Sequence, residues 1–441
     1  MTARSTILDA LVPAGGDSNL GHLPISHEPA VIPPREERAT LQPDEWHEHR
    51  QLGLDVATAG LDHQTQTEVR PPHPRSILFV SRRSVTNPLS GGSELLVDEL
   101  AAGMSRRGYD VSLMCGDPIE PRPFYKVVRG GGPYLQYLRA PIEYQRAYRS
   151  TDLVVEVCNG MPFLAPAWRR GPVLCLVPHV HTEQWSTWFN PVLAAFGRTM
   201  EAKVMPRVHR RNLVVTISPS TRASLVHLGI DDERVRVVPL GIAAPAHLHE
   251  RSSTPLFIAA GRLVAYKQVD RLLSIWESVR PLTGGKLIVM GEGPERARLQ
   301  AMRIEGVQFT GYVSESEKHR LMCQAWILLH ASSWEGWGLV ITEAAVRQTP
   351  TIGFDVPGVR DAILDGETGL LASSDDEFRQ HWIALAAQPS LRVALGTAAM
   401  KRVELNSWSA TVDAFELIVG EAIGRHRAMT RKGTTVTADA C

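Results

Sequence analysis

The pattern that opens the ordered part of this chain is a short strand, a glycine turn and a helix, and it starts over midway. Ser76-Ile77-Leu78-Phe79-Val80 is an apolar run of strand length, closed by a loop ending in Ser90-Gly91-Gly92 and followed by a helical period at Leu96, Leu100 and Met104. Leu256-Phe257-Ile258-Ala259-Ala260, Gly261 and the stripe Val269, Leu272, Trp276, Val279 repeat that order. Further strand-length runs follow each start: Asp110–Met114, Leu153–Val155, Val173–Val177 and Leu213–Ile217 after the first, Leu287–Met290, Val307–Phe309 and Trp326–Leu329 after the second. Strands alternating with helices imply a parallel, doubly wound sheet, so the chain reads as α/β with two Rossmann-like domains in tandem. Such a pair leaves an interdomain cleft facing the carboxyl ends of both sheets. With 441 residues, 44% of them hydrophobic, the chain can fill two cores.

The expected boundaries are 75–242 for the first domain, 243–405 for the second, and a last helix over 406–428 that either closes the second domain or crosses back onto the first. Residues 429–441 are expected to be a flexible tail. Residues 1–74 are rich in Pro, His, Glu and Arg and end in Pro71-Pro72-His73-Pro74 without a sustained apolar period. They read as a mostly disordered extension.

Lys plus Arg and Asp plus Glu are equal at 47 each, so the chain has no global charge suited to nucleic acid and any anion site must be local. Cys115, Cys158, Cys175, Cys323 and Cys441 are odd in number and lack C-x-x-C spacing. A reduced, cytoplasmic protein is expected, and no apolar run approaches the roughly 20 residues of a membrane span.

Two segments carry chemistry. Gly261-Arg262-Leu263-Val264-Ala265-Tyr266-Lys267 lies where a strand ends and a helix is about to begin. A rigid guanidinium and a flexible ammonium near a helix's positive end suit a diphosphate; two solvated cations are the plainer reading. Ser332-Ser333-Trp334-Glu335-Gly336-Trp337-Gly338-Leu339 leads into a helix containing Glu343. Gly336 and Gly338 free backbone N–H groups for phosphate or sugar oxygens. Were the whole stretch helical, Glu335 and Glu343 would be ordinary surface charges.

Together these residues resemble the E-x7-E signature of retaining GT-B enzymes, glycosyltransferase family 4. The family's G-R-L-x-x-x-K matches Gly261, Arg262, Leu263 and Lys267, and its G-x-G-P matches Gly291, Gly293 and Pro294. Its closing motifs are similar to Pro357–Asp361 and Asp365–Leu371. In the first half the resemblance is thinner, resting on Ser90–Glu94 and a helix ending in Arg106-Arg107-Gly108-Tyr109. Two positions depart from the pattern: Leu240 stands where family members commonly have Asn, and Gln348 where they have Gly.

The resemblance implies transfer of a hexosyl group from a nucleotide diphosphate sugar, with retention, without a metal and with no cofactor beyond that co-substrate. It implies that Arg262 and Lys267 neutralise the leaving diphosphate, aided by backbone N–H groups of Gly336, Trp337, Gly338 and Leu339. The loop at Gly91 and Gly92 would lie on the donor phosphates, or else be a helix-entry turn with no ligand. Glu343 would hold the ribose and Glu335 the donor sugar. A histidine after the strand ending at Val177 would face that sugar; His179 fits better than His181, and a purely structural pair is the alternative. No clustered Asp or His set for a catalytic divalent ion is evident in the sequence.

Two rivals keep the fold and change the function. A nucleotide-sugar epimerase would convert donor to an isomer without an acceptor. A non-catalytic nucleotide-sugar binder would have no reason to keep Arg262, Lys267, Glu335 and Glu343. A nicotinamide enzyme lacks its strand-linked G-x-G-x-x-G. The expected partners are a nucleotide sugar and a carbohydrate or lipid-linked acceptor. Phe189–Val208 places Leu193, Phe196, Met200, Val204 and Val208 beside Arg198, Lys203 and Arg207. That segment suits either a membrane surface, such as the inner face of the plasma membrane, or a core-facing helix with solvated cations.

Overall fold

A computed structural model describes residues 76–132 and 134–438. The extension expected over 1–74 therefore lies outside the described residues. The first sheet comprises β1 (Ser76–Val80), β2 (Asp110–Cys115), β3 (Lys126–Arg129), β4 (Leu153–Val157), β5 (Val173–Leu176), β6 (Leu213–Thr216) and β7 (Val235–Val237), in the order β3-β2-β1-β4-β5-β6-β7. The second comprises β8 (Leu256–Ala260), β9 (Lys286–Met290), β10 (Val307–Gly311), β11 (Ile327–His330), β12 (Thr351–Phe354) and β13 (Gly369–Ala372), in the order β10-β9-β8-β11-β12-β13. All strand pairings within the sheets are parallel. The order reverses beside β1 in one sheet and beside β8 in the other. These are the switch points where the loops after adjacent strands diverge and leave a crevice.

Near-continuous apolar runs form these strands because helices cover both faces. In the second domain Phe257, Trp276, Phe378 and Trp382 are fully buried, with ring centroids of Phe257 and Trp382 5.2 Å apart. The Trp276 indole N–H donates to the Glu305 carbonyl at 2.9 Å, so its polar atom is satisfied within the core.

The last helix, Trp408–Ala438, crosses back onto the first domain and runs on to Ala438, well past the end expected at 428. It packs on the helix Gly92–Arg106, where a Cβ on Gly103 would come within 2.5 Å of Val412 Cγ2. Phe415 stacks on Phe79, Tyr109 donates to Glu416 at 2.8 Å, and Arg107 pairs with Asp413. The two domains are thus joined twice, by this helix and by the segment Val238–Ile242, whose Leu240 is buried. At that departure from the family pattern the side chain is a buried apolar one, which can make no hydrogen bond.

The second departure has a visible conformational cost. Gln348 has φ +56, the left-handed region that glycine enters freely. Its carbonyl is held there by Arg251 Nη2 at 2.8 Å and lies where a Cβ on Gly396 would come within 2.1 Å. Gln348→Gly is therefore expected to stabilise the protein by on the order of 0.5–1 kcal/mol, the left-handed strain less the glycine's extra chain entropy. A higher urea midpoint at unchanged slope is the measurement.

Candidate active site

The loop Gly261–Lys267 is shaped by backbone meeting backbone. Gly291 has φ +126 and a Cβ there would lie 2.0 Å from the Gly261 carbonyl oxygen; one on Gly293 would lie 2.2 Å from that of Leu263. The Leu263 N–H donates to the Glu292 carbonyl at 2.8 Å, locking the two loops together. The G-x-G-P spacing is explained by that close approach. Ser333 donates to the Tyr266 carbonyl at 2.9 Å and Trp334 stacks on Tyr266 at 4.6 Å, which fastens the second charged segment alongside the first.

A shallow hollow opens here, lined by Gly261, Arg262, Lys267, Met290, His330 and Ser332. It sits at the carboxyl ends of β8, β9 and β11, beside the switch point. Arg262 is exposed, its guanidinium braced on the Tyr266 hydroxyl at 2.9 Å. Arg83, just past β1 in the first domain, faces the same region. Burial lowers its pKa, neighbouring Arg82 and Arg262 lower it further, and Glu94 and Asp117 oppose them. A cation whose pKa is depressed by neighbouring cations marks a place prepared for an anion.

Glu335 is not an open carboxylate. Its Oε1 takes hydrogen bonds from Lys267 Nζ and, at 2.9 Å, from Ser332 Oγ, with His330 Nε2 at 3.1 Å. Burial by itself would raise its pKa, but the Lys267 ammonium and the His330 imidazole hold it well below the carboxylate range. Burial lowers the His330 pKa in turn. The Glu335 backbone is pressed by Gly358, whose φ is +82 and where a Cβ would come within 2.3 Å of the Glu335 carbonyl oxygen. This accounts for the Pro357-Gly358 turn in the closing motif.

Beyond Glu335 the chain turns through Gly336, Trp337 and Gly338 into the helix Leu339–Ala345. Gly338 has φ +81. The Trp337 side chain is buried and donates to Thr342 Oγ1 at 2.9 Å, so only its backbone is available to a ligand. A Cβ on Gly336 would come within 2.9 Å of the Pro178 carbonyl oxygen and 3.4 Å of His179 Cβ. One on Gly92 would come within 3.9 Å of Leu339. These contacts bring first-domain residues Gly92 and His179 to the second-domain loop. Gly91, by contrast, donates its N–H to Glu94 Oε2 at 2.8 Å, as part of the helix entry.

The two histidines separate clearly. His181 is tied inward: its N–H donates to Glu201 Oε1 at 2.7 Å, and Glu201 is fully buried and also accepts from Trp185 Nε1 at 2.9 Å. His179 instead touches Gln184 at 2.9 Å and faces Glu335 across the interface. Burial, with His181 adding, lowers its pKa to about 3 against the pull of Glu335, so the ring is neutral. Glu343 lies further along the signature helix, paired with Lys318 Nζ at 2.9 Å.

Arg83, His330 and Lys318 were not read from the sequence, and Ser332 stood at the head of the second charged segment without a role. Arg83 left a signal in the pair Arg82-Arg83 at the end of a strand; His330 and Ser332 lie within five residues of Glu335, and Lys318 joins the site through Glu343. The fold brings His247, His249 and His319 together, a grouping that the sequence did not reveal. The segment Phe189–Val208 is neither reading whole: Ala194, Gly197, Glu201 and Met205 face inward, whereas Val192 and Phe196 are exposed at 78% and 52%. Among the described residues no helix is long and apolar enough to cross a membrane.

Family models match both halves of the chain. Residues 90–244 match Glycosyltransferase Family 4, and 244–402 match Glycosyl transferases group 1. A D-inositol 3-phosphate glycosyltransferase of Streptomyces avermitilis is 27% identical over 48% of this chain and 49% of its own length. A GDP-mannose-dependent alpha-mannosyltransferase of Mycobacterium tuberculosis is 28% identical over 59% of this chain and 64% of its own. These matches thus span between about half and two thirds of each relative. Among solved structures, the sucrose-phosphate synthase of Thermosynechococcus elongatus superposes with a TM-score of 0.67 at 18% identity, covering 79% of this chain and 99% of that one. HepE of Anabaena, solved with UDP and glucose, superposes with a TM-score of 0.62 at 16% identity, covering 79% and 100%.

Proposed function

Since the chain is a glycosyltransferase of GT-B fold and family 4 type, we propose that it moves a hexosyl group from a nucleotide diphosphate sugar to a carbohydrate or lipid-linked acceptor. The observation that carries this reading is the pair Arg262 and Lys267 lining one hollow at the carboxyl ends of the strands, with Arg83 of the first domain close enough to Arg262 to feel its charge. As the bond from the anomeric carbon to the diphosphate breaks, negative charge grows on the leaving oxygens. Arg262 and Lys267 meet that charge already oriented, and the Gly336–Leu339 amides and Gly92 add fixed dipoles. The sugar becomes oxocarbenium-like beside Glu335 and His179. In a retaining transfer the leaving phosphate oxygen takes the acceptor's proton as the new bond forms on the same face. The fixed cations take the part that a divalent ion plays in other transferases, so no metal enters the reaction.

Glu335 then has two tasks, holding Lys267 at the diphosphate and lining the sugar pocket, while Glu343 binds the ribose with Lys318 steadying its carboxylate. The exposed Val192 and Phe196 beside Arg198 are the surface proposed for peripheral contact with a membrane that holds a lipid-linked acceptor.

The glutamates are separable by experiment. A charged hydrogen bond contributes about 1.5–3 kcal/mol. Glu343→Ala is expected to weaken free nucleoside diphosphate by roughly 10- to 150-fold. Glu335→Ala, which also releases Lys267, is expected to weaken that affinity by less than Glu343→Ala does and chiefly to depress turnover. Calorimetry with the diphosphate and single-turnover kinetics read the two effects, and the reverse pattern would exchange the roles.

A further inference from the structure

We propose that His247, His249 and His319 form a three-imidazole site for a first-row divalent transition ion of the zinc class, fastening the interdomain linker to the second domain. His247 and His249 belong to the irregular segment that follows Val238–Ile242, and His319 to the helix Glu315–Gln324. In an extended chain residues two apart point the same way, so His-Leu-His presents both rings to one partner. The three ring centroids lie 5.0, 5.4 and 5.1 Å apart, and one ligand nitrogen of each ring lies within 4.8 Å of the others. An ion with bonds of about 2.0–2.1 Å to imidazole needs those nitrogens closer still, at roughly 3.3 Å in a tetrahedron. His247 is exposed and on the linker, so it is free to make that adjustment.

The donor set selects the ion. Neutral imidazole suits zinc, copper, nickel and iron rather than magnesium or calcium, and three such ligands leave a fourth position for water. Arg347 Nε donates to His319 Nδ1 at 3.0 Å. Coordination through Nε2 moves the ring proton to Nδ1, which breaks that contact while Arg347 keeps the Glu343 carbonyl at 2.6 Å. The nearby guanidinium also opposes a dication, which weakens the site relative to three imidazoles without a cation beside them. The role is that of a clasp: the ion joins the segment after Ile242 to a helix in which the residue before His319, Lys318, holds Glu343.

The test uses the full chain free of any histidine tag, stripped with a chelator and titrated with Zn²⁺ by calorimetry and with Co²⁺ by visible absorption. Other histidines, among them His47 and His49, make the difference between wild type and variant the informative quantity. Wild type is expected to bind one equivalent more than the His247→Ala/His249→Ala double variant, with d–d bands of four- or five-coordinate cobalt that the variant lacks. Zn²⁺ should also raise the wild-type melting temperature by more than it raises that of the variant. His319→Ala alone should weaken the same equivalent at least about tenfold. Equal stoichiometry and spectra in wild type and double variant would overturn the proposal, as would no saturable binding up to about 100 μM metal.

Discussion

Arg262→Ala and Lys267→Ala should each fold and each lose about 10²–10³ in turnover with a nucleotide sugar donor, equivalent to about 3–4 kcal/mol of barrier. The two substitutions reach that loss differently. Arg262 is exposed and, among the described residues, its guanidinium is held by Tyr266, so its removal takes away one preorganised donor and disturbs little else. Lys267 is the cation paired with Glu335, and its loss leaves a buried carboxylate facing His330 and Ser332. His330 then becomes the nearest source of compensating charge. Lys267→Ala should consequently gain a pH dependence, more stable and less inactive on the acid side where His330 carries its proton, that Arg262→Ala lacks. Turnover measured from pH 5.5 to 8.5 separates the cases. Near-wild-type rates in both variants would remove the diphosphate assignment.

The charged motif residues were legible because their spacing survives as a local pattern: a strand, a turn and a cation four or five positions on. Their surroundings were not legible. Glu335 reads as a carboxylate before a glycine loop, yet what governs it is Lys267, 68 positions earlier, and a histidine at the end of β11. Gly291 and Gly293 could be matched to a motif, but the reason for them is a carbonyl on a neighbouring loop. At Trp337 the sequence pointed to the backbone N–H, and what it did not show is that the indole anchors the loop from beneath through Thr342. Periodicity reports which face of an element is apolar; it does not report which distant element covers that face. For the same reason the path of the last helix and the meeting of His319 with His-Leu-His were open until the chain was folded.

A second large effect lies behind the first sheet, where the motifs say nothing. Glu156 on β4 and His209 are both fully buried, with His209 Nε2 3.1 Å from Glu156 Oε2, an ion pair rather than a well-aligned hydrogen bond. The same carboxylate accepts from the Leu164 N–H at 2.9 Å and the Ala165 N–H at 2.7 Å, fixing the turn into the helix Ala165–Trp168. Burial raises the Glu156 pKa, but His209 and the two amides outweigh it and hold it down. Burial lowers that of His209, and Cys175 and Glu156 more than reverse it. Burial also keeps the Cys175 thiol protonated, which leaves the carboxylate as the effective partner. Removing one member of a buried pair typically costs about 3–5 kcal/mol. Glu156→Gln should therefore lower stability by about that much near pH 6. The Glu156 contribution is present above its unfolded pKa near 4.5 and is lost as pH falls through the lower folded value. The His209 contribution is present below 6.5 and is lost as pH rises toward its higher folded value. In Glu156→Gln the imidazole is buried without a counter-charge, its folded pKa drops below 6.5, and the sign inverts: stability is lost as pH falls. Urea midpoints from pH 5 to 9 should show the gap between wild type and variant narrowing as pH rises. Parallel profiles would mean that the pair is not ionised in the folded protein.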